Sequence, residues 1–336
     1  MKTIQILGKE IDPEDMPILY KWAQTHPDTL TVQLQSIANA WHEGDIGSAM
    51  VAFESDLAHE KGSYDSDEAD QEQELENPFK VDDVTLHNML DIYETTPMEY
   101  MLPIPLGVDE DGIAQYDDLV SLGHILMTGT TGSGKSNFGN VIIASLMTLL
   151  PPSKVNFMLF DFKRIEFSVY SKLPYLRSDV IVDVGTAFLE LEKLILEKQI
   201  RLSKENIDDS PYIVVLIDTF SDWIIADKGR FEDRLDELLK DATAAKIHVV
   251  MWDSRLSPKT YTPRLMGLFP TKICFNVVDV QGSELFIGTT GAEKLHRAGD
   301  MLFLGGNHLF PAHLQSPFIS SEEISKLVEH CRKNAT

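Results

Sequence analysis

Residues 129–136 follow the spacing G-x-x-x-x-G-K-S, which combines glycines, hydroxyl groups and one lysine. Glycines allow successive backbone N–H groups to turn toward an anion, and the lysine places a cation beside the terminal phosphates of a nucleotide. A serine hydroxyl directly after the lysine can coordinate Mg²⁺. We therefore expect a nucleotide site in which Lys135 is catalytic and Ser136 binds magnesium. The residues expected to contact the nucleotide are Gly129, Thr130, Thr131, Gly132, Ser133, Gly134, Lys135, Ser136 and Asn137.

Acidic residues at the ends of apolar runs form a second group of candidate site residues. The apolar run from Tyr212 to Ile217 is followed by Asp218, and an acid at that position can hold magnesium through water. Asp218 is therefore the expected second magnesium ligand and a catalytic residue. Thr219, the next residue, cannot act as a base at neutral pH. Asp253 is our first candidate for a replacement base and Asp222 the second, with structural hydrogen bonding as the alternative role for both.

These residues need a framework of alternating strands and helices. Runs of apolar and β-branched residues predict buried strands at His124–Thr128, Val155–Phe160, Tyr212–Ile217 and Ile247–Trp252. Apolar residues at helical spacing predict helices over Asn137–Leu150, Val184–Arg201 and Arg230–Ala245. The alternation predicts an α/β fold of the P-loop NTPase (RecA-like) type, a mostly parallel sheet with helices on both faces.

Length and composition fit one large core with a small accessory region. The chain has 336 residues, of which 43% are hydrophobic. Helical spacing near the N-terminus predicts a small helical accessory region over residues 1–60, and acidic and small polar residues predict a linker over 61–78. The P-loop domain is then expected to occupy residues 79–336.

The formal net charge of -24 is distributed unevenly along the chain. Residues 1–118 contain 5 lysines and arginines against 27 aspartates and glutamates, whereas residues 119–336 contain 24 against 26. An evenly acidic surface would argue against a nucleic-acid partner, because phosphate binding requires a basic surface. The P-loop part is nearly neutral, so its charge leaves a nucleic-acid partner open.

Several classes of protein are disfavoured by what the sequence lacks. The two cysteines, Cys274 and Cys331, match neither a disulfide framework nor a zinc site, and the ten histidines are scattered. The sequence contains no apolar stretch long enough to cross a bilayer and no signal peptide. We therefore expect a cytoplasmic chain without direct membrane insertion and without a transition metal.

Seven segments occur in the order and approximate spacing of one family: HILMTGTTGSGKS, FDFKRIEFSVYSKLPYL, PYIVVLIDTFSDW, AKIHVVMWDSR, FPTKICF, GAEKLHRAGDMLF and PFISSEEISKLV. From about Leu102 to Val328 the chain resembles the motor domain of the FtsK/SpoIIIE DNA translocases. The resemblance implies a hexameric ring that threads double-stranded DNA, with ATP and Mg²⁺ as cofactors. The residues that are candidates to face DNA, with an ordinary surface position as the alternative, are Lys163, Arg164, Lys259, Arg264 and Lys272.

Three positions depart from the family pattern in parts that act in catalysis. Thr219 stands in place of a glutamate, Ser254 in place of a glutamine that reports on the γ-phosphate, and Glu284 in place of an arginine. A first hypothesis is a DNA-translocating ATPase with another base. A second is a nucleotide-binding subunit with poor hydrolysis that regulates or assembles a complex, or a substrate-recruiting ATPase of a secretion or conjugation system.

We expect this chain to lack the N-terminal membrane region and the C-terminal winged-helix domain of the family. Anchoring and orientation are then expected either to come from a partner at a membrane or a secretion apparatus or to be unnecessary.

Overall fold

A computed structural model describes residues 4–6, 9–11, 84–95, 98–204, 207–305, 308 and 310–334. The chain divides into two compact units, Met1–Leu75 and Glu76–Thr336. In the first unit, β1 (Ile4–Ile6) and β2 (Lys9–Ile11) pair antiparallel, a pairing that the sequence did not indicate. Apart from these strands, the helical region expected over residues 1–60 and the linker expected over 61–78 lie outside the described residues. The proposed division of the N-terminal part therefore stays a prediction.

The second unit alternates strands and helices along most of its length. Its helices are α1 (Leu86–Thr95), α2 (Leu119–Leu122), α3 (Lys135–Leu149), α4 (Val184–Leu202), α5 (Ser221–Leu239), α6 (Pro263–Gly267), α7 (Val280–Ile287) and α8 (Ser321–Asn334). Its strands are β3 (Pro103–Val108), β4 (Ala114–Asp118), β5 (Ile125–Thr128), β6 (Val155–Asp161), β7 (Tyr212–Asp218), β8 (Ile247–Asp253), β9 (Thr271–Phe275), β10 (Asp300–Leu304) and β11 (Ala312–Gln315).

These strands form one nine-stranded sheet in the order β4-β3-β11-β10-β9-β5-β8-β7-β6. The strands from β9 to β6 in this order run parallel to one another. The remaining four strands extend the sheet through antiparallel pairs. The α/β fold class is confirmed, and the antiparallel extension adds strands that the sequence analysis did not predict. Strand β5, which leads into the glycine-rich loop, is separated from β7 by β8 alone.

Apolar side chains pack on both faces of the sheet, as strand β7 illustrates. Val214 and Leu216 face one hydrophobic cluster, which includes side chains of α3 and α8. Ile213, Val215 and Ile217 face a second cluster, which includes side chains of α4 and α5. Because successive side chains of a strand point to opposite faces, a continuous apolar run indicates a strand that is covered on both sides. The pattern that predicted β7 is therefore explained by its position between two helical layers.

The helix predicted over Arg230–Ala245 has both ends wrong. Helix α5 begins at Ser221 and ends at Leu239, and its geometry is interrupted at Asp227 (φ -161°, ψ 90°). Periodicity alone missed the first part, although the fully buried Trp223 anchors it in the core. After α5 the chain turns through Lys246, whose φ of 58° is left-handed and ends the helical path.

Among the described residues, no helix is both long enough and apolar enough to cross a lipid bilayer.

Two buried histidines lie at the end of the sheet opposite the glycine-rich loop. His124 Nδ1 accepts a hydrogen bond from Val249 N at 3.1 Å, and the rings of His124 and His248 are 6.3 Å apart. Burial lowers the pKa of His124 from 6.5 to about 4, and the nearby His248 acts in the same direction. The folded chain therefore holds His124 in its neutral form.

Acidification is expected to destabilise the fold through His124. Below about pH 6.5 His124 becomes protonated in the unfolded chain but stays neutral in the folded chain. The free energy of unfolding therefore falls by about 1 kcal/mol for each pH unit. The loss ends near the folded pKa of about 4. Urea unfolding of the wild type and of His124→Asn, measured from about pH 7.5 to about pH 5.5, should give a shallower pH dependence for the variant. Equal slopes would contradict this assignment.

Candidate nucleotide-binding site

The carboxyl ends of the five parallel strands meet at one edge of the sheet. In the strand register, Thr128 at the end of β5 lies beside Asp253 of β8 and Cys274 of β9. Asp161 at the end of β6 lies beside Asp218 of β7. In open α/β sheets this edge is where ligands bind. The fold therefore brings the glycine-rich loop and the predicted acids to a common edge.

The glycine-rich loop adopts backbone angles that require its glycines. Gly134 has a φ of 118°, and a Cβ there would lie 2.7 Å from the backbone nitrogen of Gly299. Gly129 has a φ of 149°, and its Cβ would lie 2.7 Å from the Cβ of Phe275. The loop is also bonded to its neighbours, because Thr130 N donates to Asn276 O at 2.7 Å and Gly299 N donates to Ser133 O at 2.9 Å. Both neighbours therefore hold the loop in a fixed shape.

Helix α3 begins directly at the end of this loop. Its N-cap residue, Gly134, has no side chain that can accept from the first N–H groups. The first turn of a helix carries unsatisfied donors and the positive end of the helix dipole, which together favour an anion. The loop and the helix can therefore bind phosphate through backbone groups alone.

Lys135 is a buried cation held by the loop itself. The side chain is 4% exposed, and its Nζ donates to Gly129 O and Thr130 O, both at 2.7 Å. Burial lowers its pKa to about 8, while the negative charges of Asp218 and Asp253 act in the opposite direction. The ammonium group is therefore desolvated and close to where phosphates would lie, which strengthens its attraction for an anion.

Asp218 is a buried carboxylate at the end of β7. The residue is 6% exposed, and its Oδ1 accepts a hydrogen bond from Thr219 Oγ1 at 2.9 Å. Burial raises the pKa of Asp218 to about 6, and the Thr219 hydroxyl opposes this rise. A nearby cation stabilises the ionised form of such a buried carboxylate.

Thr219 has a φ of 60°, which is left-handed. Such a conformation in a β-branched residue costs on the order of 1–3 kcal/mol and is found mainly where function fixes the backbone. Thr219 N donates to Trp252 O at 2.9 Å, which holds this turn against β8. The hydroxyl is bonded to Asp218 and does not offer a base.

The donor atoms at this edge fit magnesium. Among the described residues, no hydrogen bond reaches Asp218 Oδ2, and Ser136 lies half-buried in the first turn of α3. Magnesium prefers oxygen ligands and keeps several waters, so one carboxylate and one hydroxyl suffice when phosphates supply the rest. In the described part of the chain no group of three or more His, Cys, Asp or Glu side chains is arranged to hold a metal ion.

Comparisons with known proteins place this geometry in a family. Residues 85–209 match the sequence model of the FtsK/SpoIIIE family. A protein of Oceanobacillus iheyensis named DNA translocase FtsK is 32% identical over 250 residues, which is 67% of this chain and 32% of that protein. A protein of the same name from Borreliella burgdorferi is 31% identical over 255 residues, 70% of this chain and 32% of its own length.

The chain belongs to the FtsK/SpoIIIE family. The recognition made from the sequence is confirmed, and membership of this family of P-loop ATPases makes the glycine-rich loop a nucleotide-binding site. The chain spans about a third of the length of the relatives just described.

Solved structures agree on the fold. The monomer form of the pCW3 conjugation coupling protein TcpA, solved with ATPγS, superposes with a TM-score of 0.62 at 22% identity, covering 72% of this chain and 73% of that one. The cytoplasmic domain of the type VII secretion ATPase EccC of Thermomonospora curvata gives a TM-score of 0.59 at 18% identity, covering 70% of this chain and 32% of that one. At these identities the likeness shows the fold alone.

Asp253, the first candidate for a replacement base, is fully engaged in backbone bonds. The residue is 1% exposed, its Oδ2 accepts from Ser221 N at 2.7 Å and its Oδ1 accepts from Arg255 N at 2.7 Å. The carboxylate thus fixes the start of α5 against the end of β8. This geometry favours the structural role over proton transfer from water.

Tyr261 is a residue of this edge that the sequence analysis missed. Its buried hydroxyl donates to Met127 O at 3.0 Å and to Asp253 O at 2.9 Å, and it accepts from Asp253 N at 3.1 Å. It thereby ties the end of β5 to the end of β8. No local pattern marks such a residue, because its bond to Met127 joins it to a segment far away in sequence.

Asn137, predicted to contact the nucleotide, is bonded to the backbone. Its Nδ2 donates to Ile319 O at 2.6 Å and its Oδ1 accepts from Ile319 N at 3.3 Å. The side chain therefore joins the first turn of α3 to the segment before α8. This pairing leaves the amide committed to protein contacts.

The five basic residues expected to face DNA lie in four different segments, and their role toward DNA stays a prediction. The charge of Lys163 adds to the burial that lowers the pKa of Lys135 and opposes the burial that raises the pKa of Asp218. Arg264 is paired with Asp233 at 2.8 Å and with Asp236 at 3.2 Å on α5. Lys272 lies within β9, where burial lowers its pKa. The two that remain on exposed turns are Arg164 and Lys259.

Two further residues, Ser254 and Glu284, depart from the family pattern. Ser254 follows the end of β8 and is half-buried, and Glu284 is exposed on α7. A role of either residue toward a neighbouring subunit requires that the chain forms an oligomer. Roles for both stay predictions.

Proposed function

We propose that this chain binds Mg²⁺-ATP at the glycine-rich loop and hydrolyses it to move double-stranded DNA, as a subunit of a hexameric ring in the cytoplasm. The observation that carries the proposal is the combination of a complete phosphate-binding loop with a desolvated lysine and a desolvated aspartate at one sheet edge. Relatives that carry the name DNA translocase align with about two thirds of the chain or more. The P-loop domain of the proposal corresponds to residues 79–336.

Each residue then has a defined task in binding. Backbone N–H groups of residues 129–136 bind the phosphates, and Lys135 exchanges its two loop carbonyls for phosphate oxygens. Ser136 and Asp218 would hold Mg²⁺, which neutralises charge on the phosphates when bound. Asp253 keeps the start of α5 in register with the site through its bond to Ser221 N. Most of the catalytic effect in this reaction class comes from such positioning and charge.

One observation favours a second function, a nucleotide-binding subunit with poor hydrolysis. The hydroxyl of Thr219 is bonded to Asp218, so the position that follows this acid offers no base. Such a subunit would regulate or assemble a partner complex, or recruit a substrate at a secretion or conjugation apparatus. The likeness to coupling and secretion ATPases extends to the fold and does not select either function.

Steady-state ATP hydrolysis with and without long duplex DNA separates the two functions. The proposal predicts that the wild type turns over ATP and that duplex DNA raises its kcat several-fold. Thr219→Glu is measured beside it, because it restores a carboxylate next to Asp218. Turnover by Thr219→Glu alone, with nucleotide binding intact in both proteins, would establish the second function for this chain.

A further inference from the structure

The segment that follows β6 is folded back toward the nucleotide site. Asp161, at the end of β6, is fully buried, and its carboxylate accepts hydrogen bonds from Ile165 N at 3.2 Å and from Glu166 N and Phe167 N at 2.9 Å. Asp161 is also the register partner of Asp218 on the neighbouring strand. Three amides on one carboxylate therefore fix the backbone of Glu166 close to the end of β7.

The charge of Glu166 acts on groups of the neighbouring elements. Burial lowers the pKa of Lys135 on α3 and raises the pKa of Asp218 on β7, and the negative charge of Glu166 opposes the first shift and adds to the second. It also raises the pKa of Tyr170, whose hydroxyl donates to Asn140 on α3 at 2.7 Å. These three groups belong to three different elements around the same space. Together with the backbone position of Glu166 beside Asp161, these effects place its carboxylate near Lys135 and Asp218.

Glu166 differs from the other acids of this edge in its bonding. Asp161 accepts from three amides, and both oxygens of Asp253 accept from amides. Asp218 is bonded to Thr219 and is the expected magnesium ligand. In the described part of the chain no hydrogen bond or ion pair engages the half-buried Glu166 carboxylate. Of these four acids, it is the one with neither carboxylate oxygen in a hydrogen bond within the described part of the chain.

We propose that Glu166 is the catalytic carboxylate that orients the attacking water in ATP hydrolysis and accepts its proton, the task for which residue 219 has no suitable group. This inference rests on the proposed function. The water oxygen forms a bond to the γ-phosphorus while the bond from that phosphorus to the β–γ bridging oxygen breaks. The bonding electrons leave with ADP, and the water proton passes to a Glu166 oxygen. Lys163, on the same loop, adds a positive charge near the phosphates.

The inference is tested by Glu166→Gln, with Glu190→Gln as the matched control, since Glu190 is a half-buried glutamate on α4. General-base catalysis contributes typically 10²–10⁴-fold, so kcat should fall by about 100-fold or more in Glu166→Gln. Affinity for a fluorescent ATP analogue should change by less than about 3-fold, because binding rests on the loop and Lys135. The Glu190→Gln control should keep the wild-type kcat. Thr219→Glu placed in the Glu166→Gln background should recover part of the turnover.

The outcomes separate this inference from the function it rests on. A wild type without any turnover removes both. A wild type that turns over ATP, together with Glu166→Gln at the wild-type kcat, overturns the role of Glu166 and leaves the proposed function standing. Loss of activity that follows loss of nucleotide affinity or of thermal stability in Glu166→Gln overturns it equally.

Discussion

Replacing Lys135 by alanine is expected to lower ATP turnover by about 100- to 1000-fold, the range seen when one preorganised charge-stabilising donor is removed. The ammonium group is 4% exposed, so water cannot easily take its place beside the phosphates. The same change removes the donor that now bonds Gly129 O and Thr130 O. We therefore expect weaker ATP binding together with slower turnover, measured by titration of a fluorescent ATP analogue and by phosphate release.

Lys154→Ala is the matched control for this prediction, because Lys154 is exposed beside the start of β6, at the opposite end of that strand from Asp161. This variant should retain wild-type turnover and affinity. Turnover by Lys135→Ala within about 3-fold of the wild type would mean that the buried cation does not contact the transferred phosphate. The assignment of the glycine-rich loop as the catalytic site would then be wrong.

Asp218→Asn is expected to change activity and stability in opposite directions. Burial raises the pKa of Asp218 from 3.8 to about 6, so the folded chain is destabilised by the ionised carboxylate as the pH rises through this interval, and the full effect is present at pH 7. A neutral amide avoids that cost and keeps an oxygen for the Thr219 hydroxyl. Without magnesium or nucleotide, the free energy of unfolding should rise by about 1–3 kcal/mol near pH 7.

Magnesium-dependent turnover of Asp218→Asn should fall by about 100-fold or more, because the site loses its anionic ligand. Asp209→Asn, in the exposed turn before β7, is the control for a general effect of charge removal. Urea unfolding in EDTA and ATP hydrolysis across a magnesium series give the two readouts. A variant that is less stable and still active would show that the carboxylate is structural. A gain in stability together with a loss of activity would show that Asp218 is retained for function.

The strands that hold the site could be predicted from the sequence because local pattern determines them. The predicted strands at β5, β6, β7 and β8 agree with the structure to within one residue at each end. Each is a continuous apolar run, and such a run is the signature of a parallel strand covered on both faces. The glycine-rich loop was equally visible, since phosphate binding prescribes its residue types and spacing.

The strands of the antiparallel extension could not be predicted from apolar runs, for a physical reason. Strand β3 contains two prolines and Gly107, which is left-handed with a φ of 137°, and residues 114–117 of β4 are half-buried and mixed in polarity. Such segments carry little periodicity of their own. Their pairing depends on distant partners, for example Val108 with Gln315 of β11.

The roles of individual side chains at the site were the least predictable part. Asp253 was visible as an acid at a strand end, but its two amide partners depend on the fold. Asn137 reaches Ile319 across most of the second unit. Tyr261, which bonds Met127 O, was not visible as part of the site at all. In each case a contact between distant segments decides the role.

The central claim, that ATP hydrolysis by this chain drives movement along double-stranded DNA, is tested most directly by displacement of a third strand from a linear duplex. With Mg²⁺-ATP, the wild type is expected to displace a triplex-forming oligonucleotide, with a delay that grows with the length of duplex leading to it. Lys135→Ala, or ATPγS in place of ATP, should give no displacement. ATP hydrolysis by the wild type without displacement of the third strand would contradict this claim.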